Sequence, residues 1–128
     1  MFKIEGHHIS VTRGDSMTIA LNVSKNDMND GEFIFKPGDI IEIGIYEAKG
    51  LNKEPLLDKE VEINENTNSV DIPLSSSETS IGEMSNKPID YWYEIQLNKT
   101  QTIIGYDDIG PKVFTLYPEG EVIKWAMI

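Results

Sequence analysis

Asp90-Tyr91-Trp92-Tyr93-Glu94-Ile95-Gln96-Leu97 is the stretch on which the reading of the fold turns. Tyr91, Tyr93, Ile95 and Leu97 fall on one side of it, and Trp92, Glu94, Gln96 and Asn98 on the other. A period of two is the pleat of a β-strand with one face buried and one face wet. Aromatic and β-branched residues suit such a surface. The stretch is therefore expected to be the central strand of the core sheet.

Working outward, the same alternation recurs. Met17, Ile19, Leu21 and Val23 alternate with Thr18, Ala20, Asn22 and Ser24. Ile41, Ile43 and Ile45 oppose Glu42, Gly44 and Tyr46. Leu57, Lys59, Val61 and Ile63 oppose Asp58, Glu60 and Glu62. Shorter runs stand at Ile9–Thr12, Phe33–Phe35, Val70–Leu74, Thr102–Tyr106, Val113–Tyr117 and Val122–Ile128. Pro73 cannot donate to a ladder, so its run is an edge strand or ends there. Turn chemistry separates the runs: Arg13-Gly14-Asp15, Lys36-Pro37-Gly38-Asp39, Glu65–Asn68 and Pro118-Glu119-Gly120. One short helix at most is expected near 76–84, with Ser76 or Ser77 as its cap and Glu78 in its first turn. About eight or nine short strands with such spacing predict an all-β, antiparallel β-sandwich, immunoglobulin-like or jelly-roll-like, forming one domain over residues 1–128.

Charge and composition narrow the partners. The 22 acidic side chains outnumber 11 basic ones, a net charge of −11. A field of that sign repels nucleic-acid phosphates and anionic lipid headgroups, so neither nucleic acid nor a membrane surface is expected as a partner. No apolar run approaches the roughly 20 residues of a spanning helix. The first six residues lack the apolar core of a secretory signal. The chain contains no cysteine, which removes disulfides, thiolate metal sites and thiol nucleophiles.

Few residues suggest chemistry. His7 and His8 are adjacent, and neighbours on a strand point to opposite faces, so they cannot share a metal or act as a pair. Asn26 to Glu32 resembles a calcium loop only faintly. With Gly31 at that loop's sixth position, Met28 and Pro37 fall where ligands are needed. Arg13-Gly14-Asp15 matches an adhesion tripeptide, yet Gly-Asp between strands is ordinary turn chemistry. Glu60, Glu62 and Glu65, or Asp107 with Asp108, read as solvated carboxylates. No nucleophile–base spacing, phosphate loop, cofactor or metal motif is legible, so no enzymatic activity is expected.

Three groups of residues resemble a known family. Ile9-Ser10-Val11-Thr12-Arg13-Gly14-Asp15-Ser16 precedes an alternating strand. Ile40–Glu47 is followed by Val70-Asp71-Ile72-Pro73-Leu74 and a Ser/Thr-rich turn. Tyr91–Leu97 leads to a hairpin with Thr102 and Ile103, then to Val113-Phe114-Thr115-Leu116. Together they are similar to the N-terminal domain of the upper baseplate protein family of tailed phages and prophages of Gram-positive bacteria. The resemblance implies a non-enzymatic, homo-oligomeric sandwich that assembles with other tail and baseplate proteins. It implies a virion location after synthesis in the bacterial cytoplasm. The chain ends soon after the sandwich, so a stalk or receptor-binding tip is not part of what the resemblance implies.

Two further readings accompany it. A free-standing carbohydrate-binding or adhesion sandwich would stack sugars on Trp92, Tyr46 or Tyr106. The C-terminal run, with Trp125, Met127 and Ile128, is either a last core strand through Ile123, Trp125 and Met127 or an interface with a neighbouring subunit.

Overall fold

The structure, a computed structural model, describes residues 2–23, 34–47, 54–105 and 112–118. Among these the strands are β1 (Phe2–Glu5), β2 (His8–Thr12), β3 (Met17–Asn22), β4 (Ile40–Tyr46), β5 (Leu57–Glu62), β6 (Ser69–Leu74), β7 (Ile89–Leu97), β8 (Gln101–Ile104) and β9 (Lys112–Tyr117). A seven-stranded curled sheet runs β1-β2-β9-β7-β4-β5, with β8 paired to β7. β3 and β6 form a separate two-stranded sheet.

β7 is the central strand. One edge pairs with β4 from Trp92 to Leu97, and the other pairs first with β9 and then with β8. Its four alternate residues Tyr91, Tyr93, Ile95 and Leu97 are all buried. Ile41, Ile43 and Ile45 of β4, Ile9 and Val11 of β2, and Phe114 and Leu116 of β9 join them on the inner face. Met17, Ile19 and Leu21 of β3 and Val70, Ile72 and Leu74 of β6 cover that face from the other side. Two sheets thus share one apolar core, the arrangement of a sandwich. Val61 lies only half-buried on β5, packed against the margin of this core.

Local chemistry explains the turns. Pro37 and Gly38 take the two corners of the β4 entry turn, Gly38 with φ +95, and Asp39 N–H closes it on Lys36 O. Asn98 and Lys99 both take positive φ (52 and 59) in the three-residue connection between β7 and β8, which Thr100 N–H closes on Leu97 O at 3.1 Å. Asn98 is then fastened to β4 through its Oδ1, which accepts from Ile40 N–H at 2.8 Å.

One feature differs from the sequence reading, and another falls within what it allowed. The sheet is not antiparallel throughout, since β2 and β9 run parallel. They come from opposite ends of the chain, so no hairpin dictates their direction. And no helix forms among the described residues; residues 76–79 make a turn. Its cap is Ser75, whose Oγ accepts from Glu78 N–H while Glu78 Oε1 accepts from Ser75 N–H at 2.8 Å. The turn stops there because Gly82 takes φ +72 and Arg13 claims the carbonyls of Ser80, Ile81 and Gly82. The segments at 24–33, 48–53, 106–111 and 119–128 lie outside the described residues. With them go the calcium-like loop, Tyr106, Asp107, Asp108 and the interface residues Trp125, Met127 and Ile128.

Candidate functional site

The outer face of β5, β4 and β7 carries the densest collection of functional groups among the described residues. Cross-strand register sets Glu42 opposite Gln96, Gly44 opposite Glu94 and Tyr46 opposite Trp92. On the other side it sets Glu42 opposite Glu60 and Gly44 opposite Asp58. These residues surround a shallow depression lined by Glu42, Gly44, Tyr46, Asp58, Glu94 and Gln96.

Gly44 explains the depression. Its φ is an ordinary strand value, so the backbone does not require glycine, and glycine inside a strand costs about 0.5–1 kcal/mol. The space is used instead: a Cβ at Gly44 would stand 2.9 Å from Tyr46 Oη and 3.1 Å from its ring. The Tyr46 ring therefore lies back along its own strand over Gly44. Its hydroxyl reaches Glu94 Oε1 at 3.3 Å. Burial, and then the Glu94 charge, raise the Tyr46 phenol above its ordinary range.

The carboxylates beside it repel one another. Glu42 is pushed up to about 7, first by its hydrogen bond to Asp58, then by burial and the Asp58 charge; Glu60 adds to this and Lys99 opposes it. Near neutrality the Glu42 carboxyl is thus about half protonated, and its protonated form hydrogen-bonds to Asp58. Lys99 itself lies 3.5 Å from Glu60 on the exposed margin. Among the described residues no group of three or more His, Asp or Glu is placed to hold a metal ion.

A second polar line crosses β2, β9 and β7 on the same outer face. His8 Nε2 lies 2.8 Å from Thr115 Oγ1, and Thr115 Oγ1 donates to Asp90 Oδ1 at 2.7 Å. Thr115 is buried, while His8 and Asp90 are exposed. The Thr115 proton is committed to the carboxylate, and the imidazole meets the same oxygen, so this line ties three strands together. His7 stands in the β1–β2 turn, apart from His8, and its carbonyl accepts from Tyr93 Oη at 2.5 Å. Burial pushes the Tyr93 phenol up to about 12.

The Arg13-Gly14-Asp15 tripeptide forms a turn that is docked on the loop after β6. Arg13 Nη2 donates to Ser80 O at 2.8 Å and its Nε to Ile81 O at 3.3 Å. Thr79, fully buried, accepts from Gly14 N–H at 3.1 Å and donates to Asp15 O at 2.8 Å. Glu60, Glu62 and Glu65 are exposed.

The sequence reading placed Tyr46, Trp92 and Glu42 on outer faces but did not bring Glu42 to Asp58, because that meeting depends on the β4–β5 register. Gly44 was the available signal: a glycine amid an isoleucine-rich strand marks a close approach. Comparison of the chain with protein-family models, with curated proteins and with solved structures yields no match.

Proposed function

We propose that this chain is a non-enzymatic structural module of a phage or prophage tail, assembled with other baseplate proteins, as the family resemblance implies. The observation that supports this reading best is the use made of Arg13-Gly14-Asp15. One of the three segments that carry the resemblance also fastens the β2–β3 connection to the 79–82 loop, through Arg13 and Thr79. Other polar side chains serve the same end. Lys59 joins β5 to the end of β6 by donating to Pro73 O and to Glu78 Oε1 at 2.7 Å. Polar groups spent on cross-ties suit a rigid part.

The test is quantitative mass spectrometry of tailed particles purified from a producing strain. The chain should be present at a fixed copy number per particle. Its confinement to the soluble cell fraction, with none in particles, would overturn the reading.

A second reading, sugar binding, is favoured by one observation: the Tyr46 ring lies over Gly44, with Trp92 opposite it on β7 and Glu94 and Gln96 beside it. Aromatic rings flanked by hydrogen-bonding groups are how sugars are held. A glycan array distinguishes the two, since specific binding that Tyr46→Ala abolishes would favour this reading over the first.

A further inference from the structure

The seam between β4 and β5 carries carboxylates on both of its sides. Glu42 of β4 stands directly opposite Glu60 of β5, and Gly44 stands opposite Asp58. Asp58, Glu60 and Glu62 alternate along the outer face of β5 and are exposed, while Glu42 is half-buried between β5 and β7. Like charges set opposite one another weaken the pairing of two strands. Among the described residues the other titratable or charged groups around Glu42 are Glu94 and Tyr46, joined to each other at 3.3 Å, and Lys99, which lies 3.5 Å from Glu60. Gln96, opposite Glu42 on β7, is neutral.

β5 is also weakly held by burial. None of its residues is buried, whereas β4 and β7 each bury four. A segment with few buried apolar contacts opens at a lower free energy than the core. β4 keeps its own pairing with β7 from Ile41 to Tyr46, so an opening can stop at the seam. We infer that the β4–β5 seam is a pH-sensitive latch: it holds while the Glu42 carboxyl is protonated, and it opens locally, with the rest of the fold intact, several times more often once that carboxyl ionises.

In the closed seam the protonated Glu42 carboxyl hydrogen-bonds to Asp58, so one of these two facing groups is neutral. That bond, then burial and the Asp58 charge, with Glu60 adding and Lys99 opposing, push Glu42 up from 4.5 to about 7. The folded value lies above the unfolded one, so the stabilisation is fully present below about 4.5 and is lost as pH rises through about 7. Ionisation leaves Glu42, Asp58 and Glu60 charged together across one pair of strands. Release of β5 also frees Lys59 from Pro73 O and Glu78 Oε1, and so unfastens a tie between the two sheets. The inference is independent of the tail-protein reading.

Amide hydrogen exchange of the full chain between pH 6 and pH 8, with each rate divided by its unfolded-chain value at the same pH, tests this. The amides of residues 57–62 that bond across the seam should be less protected than those of Tyr91–Leu97 at every pH. Their protection should fall about fivefold to tenfold across this range, the change that ionisation of one raised carboxyl produces. Urea well below the unfolding midpoint should leave protection at 57–62 nearly unchanged while that of Tyr91–Leu97 drops, the mark of local opening. Glu42→Gln should hold protection at 57–62 within about twofold from pH 6 to pH 8. Asp58→Asn, which keeps a partner for Glu42 and removes its charge, should shrink the fall to about twofold. Protection at 57–62 equal to that of Tyr91–Leu97 would show that the seam opens only with the whole fold and would overturn the latch. So would a flat profile in the parent, or a fall in either variant as large as the parent's.

Discussion

Replacing Glu42 by Gln should make the protein more stable at pH 8 and flatten its response to pH. Glu42 is raised from 4.5 to about 7 by Asp58, burial and Glu60. Its folded-state value thus lies above its unfolded one. Between about 4.5 and 7 the folded chain binds the extra proton, so stability falls as pH rises through that window and stays lowered above it. The displacement of 7 − 4.5, about 2.5, corresponds to at most about 3.5 kcal/mol at about 1.4 kcal/mol per tenfold. Water reaches this half-buried group and Asp58 shares the interaction, so about 1–2 kcal/mol is the expected loss between pH 5 and pH 8 from this group. Glutamine keeps a donor for Asp58 and cannot ionise. Urea melts at pH 5, 6, 7 and 8 measure the effect. The variant should match the parent within about 0.5 kcal/mol at pH 5 and exceed it by about 1–2 kcal/mol at pH 8. Parallel pH profiles for parent and variant would refute the raised value at Glu42.

Other substitutions check the remaining physical claims. Gly82→Ala puts a Cβ 2.1 Å from Tyr91 Oη at a φ of +72; it should cost about 2–4 kcal/mol in urea melts, combining left-handed strain with overpacking, and Tyr91→Phe in the same chain should recover part of it. Ile95→Ala, at a fully buried position of β7, should cost about 2–5 kcal/mol, and a loss below about 0.5 kcal/mol would show the wrong face was assigned to the core. Arg13→Ala removes the donors from three carbonyls and should cost about 1–3 kcal/mol, with faster amide exchange across 79–83. Tyr93→Phe removes the bond to His7 O and should cost about 1 kcal/mol; the parent's alkaline titration should show one phenol ionising near 12 that the variant lacks.

By itself the sequence determined most of the strands and their faces, but not β1 (Phe2–Glu5), and its Phe33–Phe35 run is a single bridge at Phe35 among the described residues. The alternation in Tyr91–Leu97, Ile41–Ile45 and Met17–Leu21 is a local property, and each face it named as apolar is buried in the structure. Turn residues were equally legible, since Pro37-Gly38 and Gly14-Asp15 act through their own backbone. Partnership was decided only by the tertiary structure. Alternation says that a strand has an apolar face, but not which strand lies beside it or in which direction. The parallel β2–β9 pair, the separate β3–β6 sheet and the capture of Arg13 by carbonyls 67–69 residues away are therefore invisible in any window of sequence. The same holds for the candidate site. Glu42 and Asp58 are 16 positions apart in sequence, and only the β4–β5 register brings their carboxyls together.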